Sequence, residues 1–220
     1  MNVTSTDTSF SVAAALADAS GSQGALAGGY GQNTINKDIE AFTDNATVSG
    51  NGFDLSAVSN DSLYAVSAGG AVNSGNTIAV AGSVNNNTVT NTVNASIGDN
   101  TSATNIGSGG ITVNASEGST GDQMISVVGT TGASTGGAGI GAAIDIGNYT
   151  NNVTASIGSA NLSAAGNIRV TSSTNVSYVP IAVSLGLGSD FGASGSLAFE
   201  QIADTTPAVS GARSRQTIVC

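Results

Sequence analysis

Apolar and polar residues alternate with period 2 along most of the chain. Ile111, Val113 and Ala115 alternate with Thr112, Asn114 and Ser116, and Val153, Ala155 and Ile157 with Thr154 and Ser156. Such alternation of Val and Ile with Thr and Asn, closed by Gly, predicts strands. The one helix-like stretch, SVAAALADAS (11–20), aligns with LYAVSAGGAV and MISVVGTTGA and reads as a strand, although its Ala content leaves a short helix open.

The alternation recurs at long range. TVNASIG (92–98) matches NVTASIG (152–158), and the match extends backward to VNNNTVTNTVNASI (84–97) and IDIGNYTNNVTASI (144–157). YGQNTINKDIEAF (30–42) is a third copy. LAFEQIADTTPAV (197–209) is a fourth, with Thr206 in place of Ile39, Val93 and Val153 and an apparent one-residue gap. A second landmark, NVTS, DLSA, TVNA and RVTS, recurs in phase at 2, 54, 112 and 169. Glycine-rich patches lie between the two landmarks. The chain therefore reads as about four units of 52–60 residues, 1–51, 52–109, 110–166 and 167–209, followed by an irregular tail, 210–220.

Units of this size can build a propeller, a sandwich array or a solenoid. Propeller blades carry aromatic signatures that these units lack, and a sandwich needs a heavier core. Stacked coils instead place like above like at about 4.8 Å, which disfavours charge and lets Asn amides form ladders. The expected fold is all-β, a right-handed parallel β-solenoid (β-helix). A unit of 57 divides into three coils of about 19 residues, or two of about 28.

Composition sharpens this picture. The chain has 31 Gly, 31 Ser, 24 Thr and 22 Asn, but only 4 Lys+Arg and 14 Asp+Glu, for a net charge of −10. That acidity argues against nucleic acid as a partner. With no His there is no Ser-His-Asp or Cys-His dyad, and one cysteine, Cys220, gives neither an internal disulfide nor a thiolate zinc site. The start, MNVTSTDTSF, has no basic or apolar signal-peptide regions. No run of 18 apolar residues occurs, so no membrane span is expected.

GGITVNAS (109–116), GGAGIGAAI (136–144) and NYTNNVTASIG (148–158) resemble the repeats of filamentous-haemagglutinin-like and leukotoxin-like adhesins, large Gram-negative exoproteins exported by type V (autotransporter and related) routes. The resemblance covers about residues 1–209. It implies a secreted, cell-surface β-solenoid, attached to the outer membrane through flanking domains, that binds host or neighbouring cells. It carries over no catalytic residue, cofactor or metal site. The chain then looks like an interior slice or a truncated reading frame.

Candidate chemistry is sparse. Asp38 and Glu40 share a strand face and could span the separation of a glycosidase pair, and Asp145 and Glu200 fall in the same zone of other units. No calcium-loop motif accompanies them, and all four read as solvated surface acids. Tyr64, Tyr149 and Tyr178 could stack on a sugar, but Tyr149 shares a core register with Ile35 and Val89. Thr90 and Thr92 show no stacked counterpart one unit away, so no ice-binding ladder is expected. Eleven Asn-x-Ser/Thr sequons, Asn94 and Asn152 among them, follow from strand and turn periodicity.

The reading is a non-enzymatic structural and adhesive solenoid with no catalytic, cofactor or metal site. It binds a cell-surface protein or glycan through an extended face and self-associates end to end. The alternatives are a β-helix polysaccharide-processing enzyme and the head of a trimeric autotransporter adhesin. The tail, 211–220, is expected to be loose, with Cys220 a free thiol.

Overall fold

The computed structural model describes residues 1–210 and 213–214, and among these it contains strands and no helix. The fold is a parallel β-solenoid with two broad faces. Sheet A holds β1 (Asn2–Gly21), β3 (Thr47–Asn73), β5 (Ser102–Ser134), β7 (Asn161–Ala164), β8 (Ile168–Gly188) and β11 (Arg213–Ser214). Sheet B holds β2 (Ala25–Thr43), β4 (Ile78–Ile97), β6 (Ala138–Ile157), β9 (Phe191–Thr205) and β10 (Ala208–Ser210). The chain runs out along sheet A, turns, returns along sheet B and starts the next coil.

One repeat makes one coil, not two or three. Asn2 pairs with Asp54, Asp54 with Thr112 and Thr112 with Arg169, so the landmark spacings are the stacking registers themselves. On sheet B, Ala41, Ala95, Ala155 and Ala208 form one column. Strands of some 20 residues at about 3.3 Å each make a coil about 65 Å wide.

The fourth copy needs no gap. Asn152 pairs with Thr205 and Ala155 with Ala208, the same offset on both sides of Pro207. The ladder breaks at Thr206 and Pro207 because proline has no N–H to donate; the Pro207 carbonyl still accepts from the Ala155 N–H at 3.2 Å. The repeat also continues past residue 209, since Arg213 pairs with Asn161 and Ser214 with Leu162. Cys220 and most of the expected loose tail lie outside the described residues.

The space between the sheets is zoned along the strand direction. At one end Phe53, Leu55, Val93, Ile97, Ile111, Val153 and Ile157 form the main core. In the middle Leu63, Val89, Met124 and Tyr149 form a smaller cluster. At the other end only small residues meet, Ala25, Ala27, Ala71, Ala79 and Ala81. There the sheets close so tightly that a Cβ on Gly69 would lie 2.7 Å from the Gly82 carbonyl oxygen.

Candidate functional site: an interior carboxylate cluster and two outer faces

Between the main core and the middle cluster lies a buried polar layer. Inward positions of sheet B stack Lys37, Asn91, Asn151 and Asp204 in one column. Asn91 Nδ2 donates to Asn151 Oδ1 at 3.2 Å, and Asn151 Nδ2 to Asp204 Oδ1 at 2.8 Å. On the far side of the Ile35–Val89–Tyr149 column a second column repeats the device, with Asn33 Nδ2 donating to Asn87 Oδ1 at 2.8 Å. These are the amide ladders that the Asn content predicts.

Sheet A faces this layer with acids. Lys37 Nζ pairs with Asp7 at 2.9 Å and with Asp61, and Asn91 Nδ2 reaches Asp61 Oδ2 at 2.8 Å and Glu117 Oε1 at 2.7 Å. Asp61, Glu117 and Asp122 are buried and each brings a carboxylate oxygen within 4.8 Å of the others. A local insertion brings Asp122 into place. Ser59 pairs with Glu117 and Ser62 with Gln123, so β5 holds three more residues than β3 here. Gly118 and Gly121 carry the bulge at φ of 68° and 85°, where a Cβ is strained.

Burial, the hydrogen bond to Asp122 and the charges of Asp122 and Asp61 raise the Glu117 carboxyl to about 8. Burial also raises Asp122, against hydrogen bonds from Glu117 and the Asp61 backbone. Glu117 Oε2 and Asp122 Oδ2 receive no other donor. The hydrogen bond between the two carboxyls requires a proton, and the raised Glu117 is the group that supplies it. Burial pulls Lys37 down, but Asp61 and Asp7 outweigh it and leave its ammonium raised. Asp61, Glu117 and Asp122 are the set among the described residues that could hold a metal ion, and hard carboxylate oxygens suit a divalent cation.

Several sequence expectations meet this geometry. Asp38 and Glu40 are exposed on the outer face of sheet B, stacked on Thr92 and Asn94. Asp145 is not a surface acid: it faces inward on the column Gly31–Asn85–Asp145 and is fully buried. It accepts from Ser126 Oγ at 2.7 Å, and burial raises its carboxyl despite that bond. Glu200 takes an inward position opposite Gly147 but is exposed, because its coil is the last described. Tyr149 lies in the core as its register implies, and Tyr178 packs on it with ring centroids 4.6 Å apart, so neither offers a sugar platform. Tyr64 faces outward beside Phe10. Thr90 does stack on Thr150, and Thr34 on Thr88, while Thr92 meets Asn152.

The sequence reading missed the Asp61–Glu117–Asp122 cluster. The signal is EGSTGD (117–122), two acids bracketing a Gly-flanked insertion that interrupts the shared strand pattern.

The outer faces divide along the strands. Over the main core they are mostly polar, with Thr88, Thr90, Thr92 and Asn94 on sheet B and Thr4, Thr6 and Thr8 on sheet A; Phe42 and Val58 are apolar exceptions. Over the small-residue end they are apolar. The column Ala14–Val66–Val127–Ile181 crosses sheet A and Tyr30–Val84–Ile144–Leu197 crosses sheet B. A groove of 670 Å³ crosses sheet A here, with Ala68, Gly70 and Gly129 among its small residues and Leu16, Val183 and Leu185 among its large ones.

The chain matches no family model, no curated protein and no solved structure.

Proposed function

We propose that this chain is a structural and adhesive segment of a surface-exposed β-solenoid, binding other cells through its extended outer faces. The observation that supports this most is that one repeat is one coil. Outward residues thus form continuous rows across four coils on two broad faces, suited to many weak contacts spread along a rod. On this reading the chain binds without altering its target. Asp38 and Glu40 face outward without a basic partner among the described residues, and the interior carboxylates are sealed from any polymer substrate.

Labelled protein is expected to bind cells saturably, measured by flow cytometry, and to release no reducing ends from a polysaccharide panel. Absence of saturable binding to any cell type would overturn adhesion. Release of reducing ends that Asp38→Ala or Glu40→Ala abolishes would reassign the chain as a polysaccharide-processing enzyme.

A further inference from the structure

The apolar half of the coil has its hydrophobic residues on the outside. Inward positions of β3 and β4 there are Ala65, Ser67, Gly69, Ala71, Ala79, Ala81 and Ser83, while the outward ones are Tyr64, Val66, Val72, Ile78, Val80 and Val84, with the small Ala68, Gly70 and Gly82 between them. This is small-inside, apolar-outside alternation, the inverse of a water-facing sheet and the pattern of strands that face lipid.

The band is nearly free of charge. Residues 62–87 carry none, and in the matching parts of the other coils the only charged residues are Asp18, the inward Asp145, the turn residue Asp190 and, at the last matching position, Glu200. The other 14 of the 18 charged residues lie outside these stretches.

Its height is the same on both sheets. From the turn at 74–77 it runs over residues 64–72 on sheet A. On sheet B it runs over 78–84 in this coil, where Asn86 ends it, and reaches the same nine-residue height in the next two coils through Ile146 and Phe199. Nine residues at about 3.3 Å give about 30 Å, the thickness of a bilayer's hydrocarbon core. The turns beyond it are polar (Ser74, Asn76, Thr77), and their backbone groups pair from coil to coil: Ser74 N donates to Gly21 O and Thr135 N to Asn73 O, both at 3.0 Å. Phe10 and Tyr64 pack together at the border between apolar and polar outer surface, where aromatic residues anchor at a membrane interface. Leu16 and Leu26, on opposite faces, are 77% and 76% exposed.

We propose that this half of the solenoid is a blade that enters a phospholipid bilayer, strands along the membrane normal and polar turns toward the far headgroups. A protein partner with a flat surface, or a second copy, would cover one sheet. A band at one height on both sheets, notched by the Leu16–Leu185 groove on one of them, is covered by a surrounding fluid of acyl chains. The expectation of no membrane span counted helical runs, and no helix of the described chain is long and apolar enough to cross a membrane; the blade is made of strands. The inference deepens the adhesive reading by making lipid the thing bound.

The test uses the full chain and phosphatidylcholine vesicles. The chain is expected to float with the vesicles and to stay bound in high salt. It has no Trp, so a single introduced indole reports alone. Val127→Trp and Ile144→Trp, both in the band, are expected to shift to the blue on vesicle addition and to be quenched by brominated acyl chains. Thr90→Trp, on the polar half, is expected to show neither. Val127→Asp is expected to cut vesicle partitioning about tenfold with an unchanged circular dichroism spectrum. Failure of the wild-type chain to float overturns the proposal whether or not the variants fold. So does equal quenching at positions 127 and 90, or a lipid-independent blue shift at 127, which would mean a second copy covers the band. Saturable cell binding without flotation would leave adhesion standing and remove only lipid as the receptor.

Discussion

At the scale of single residues, Glu117 makes the chain's stability depend on pH. The folded chain holds its proton up to about 8, whereas the unfolded chain releases it near 4.5. Between those values the native state binds more protons, so stability falls as pH rises and is highest toward the acid side of the window. Asp122 and Asp145 are raised in the same direction by burial and add to that slope. Urea titrations at pH 5 and pH 8 should therefore show a higher midpoint at pH 5. Glu117→Gln, which mimics the protonated group, should shrink the difference; an unchanged difference would place the titration elsewhere. Asn91 tests the same layer from sheet B. It donates to Asp61, Glu117 and Asn151, so Asn91→Ala leaves buried acceptors unpaired and should cost about 1–3 kcal/mol in the same titrations.

At the scale of elements, the main core carries most of the packing. Phe53 is fully buried and stacks on Ile111 across the β3–β5 ladder. Phe53→Ala should destabilise by about 3–5 kcal/mol through lost transfer energy and the cavity left behind. β9 is the opposite case. It pairs with β6 on one side only, and nearly all its residues are exposed. Hydrogen exchange should be slowest in β3–β6, which have neighbours on both sides, and fastest in β9. Equal protection across the four coils would mean that the last described coil is covered in solution.

At the scale of the whole molecule, the solenoid has two unpaired sides, the free edges of the first and last described coils. Rows of unpaired N–H and C=O template pairing with other chains. Isolated protein should therefore associate end to end, with a sedimentation coefficient that rises with concentration. A concentration-independent monomer would count against it. Lipid should strengthen the association, because backbone groups inside a bilayer have no water to pair with.

The period of 2, the repeat of 52–60 residues and the low charge are local and additive features of the sequence, and they determined an all-β stacked architecture. The register of some columns was legible too: Gly31, Asn85 and Asp145 align in the sequence and stack in the fold, whereas the gapless fourth copy and the Thr90–Thr150 pair emerge only from the strand pairing. Coil size was not legible, because period-2 alternation continues unbroken for 20 residues and nothing in it marks where a strand bends; only the tertiary fold shows that each repeat closes once. Nor was burial. Alternation divides residues between two faces but does not say which is inside, and in one half of this coil the small residues face in. Asp145 reads as a surface acid until the opposite sheet covers it. The carboxylate cluster arises because a three-residue insertion in β5 meets Lys37 and Asn91 of sheet B, residues far away in the chain that only the closed coil brings together.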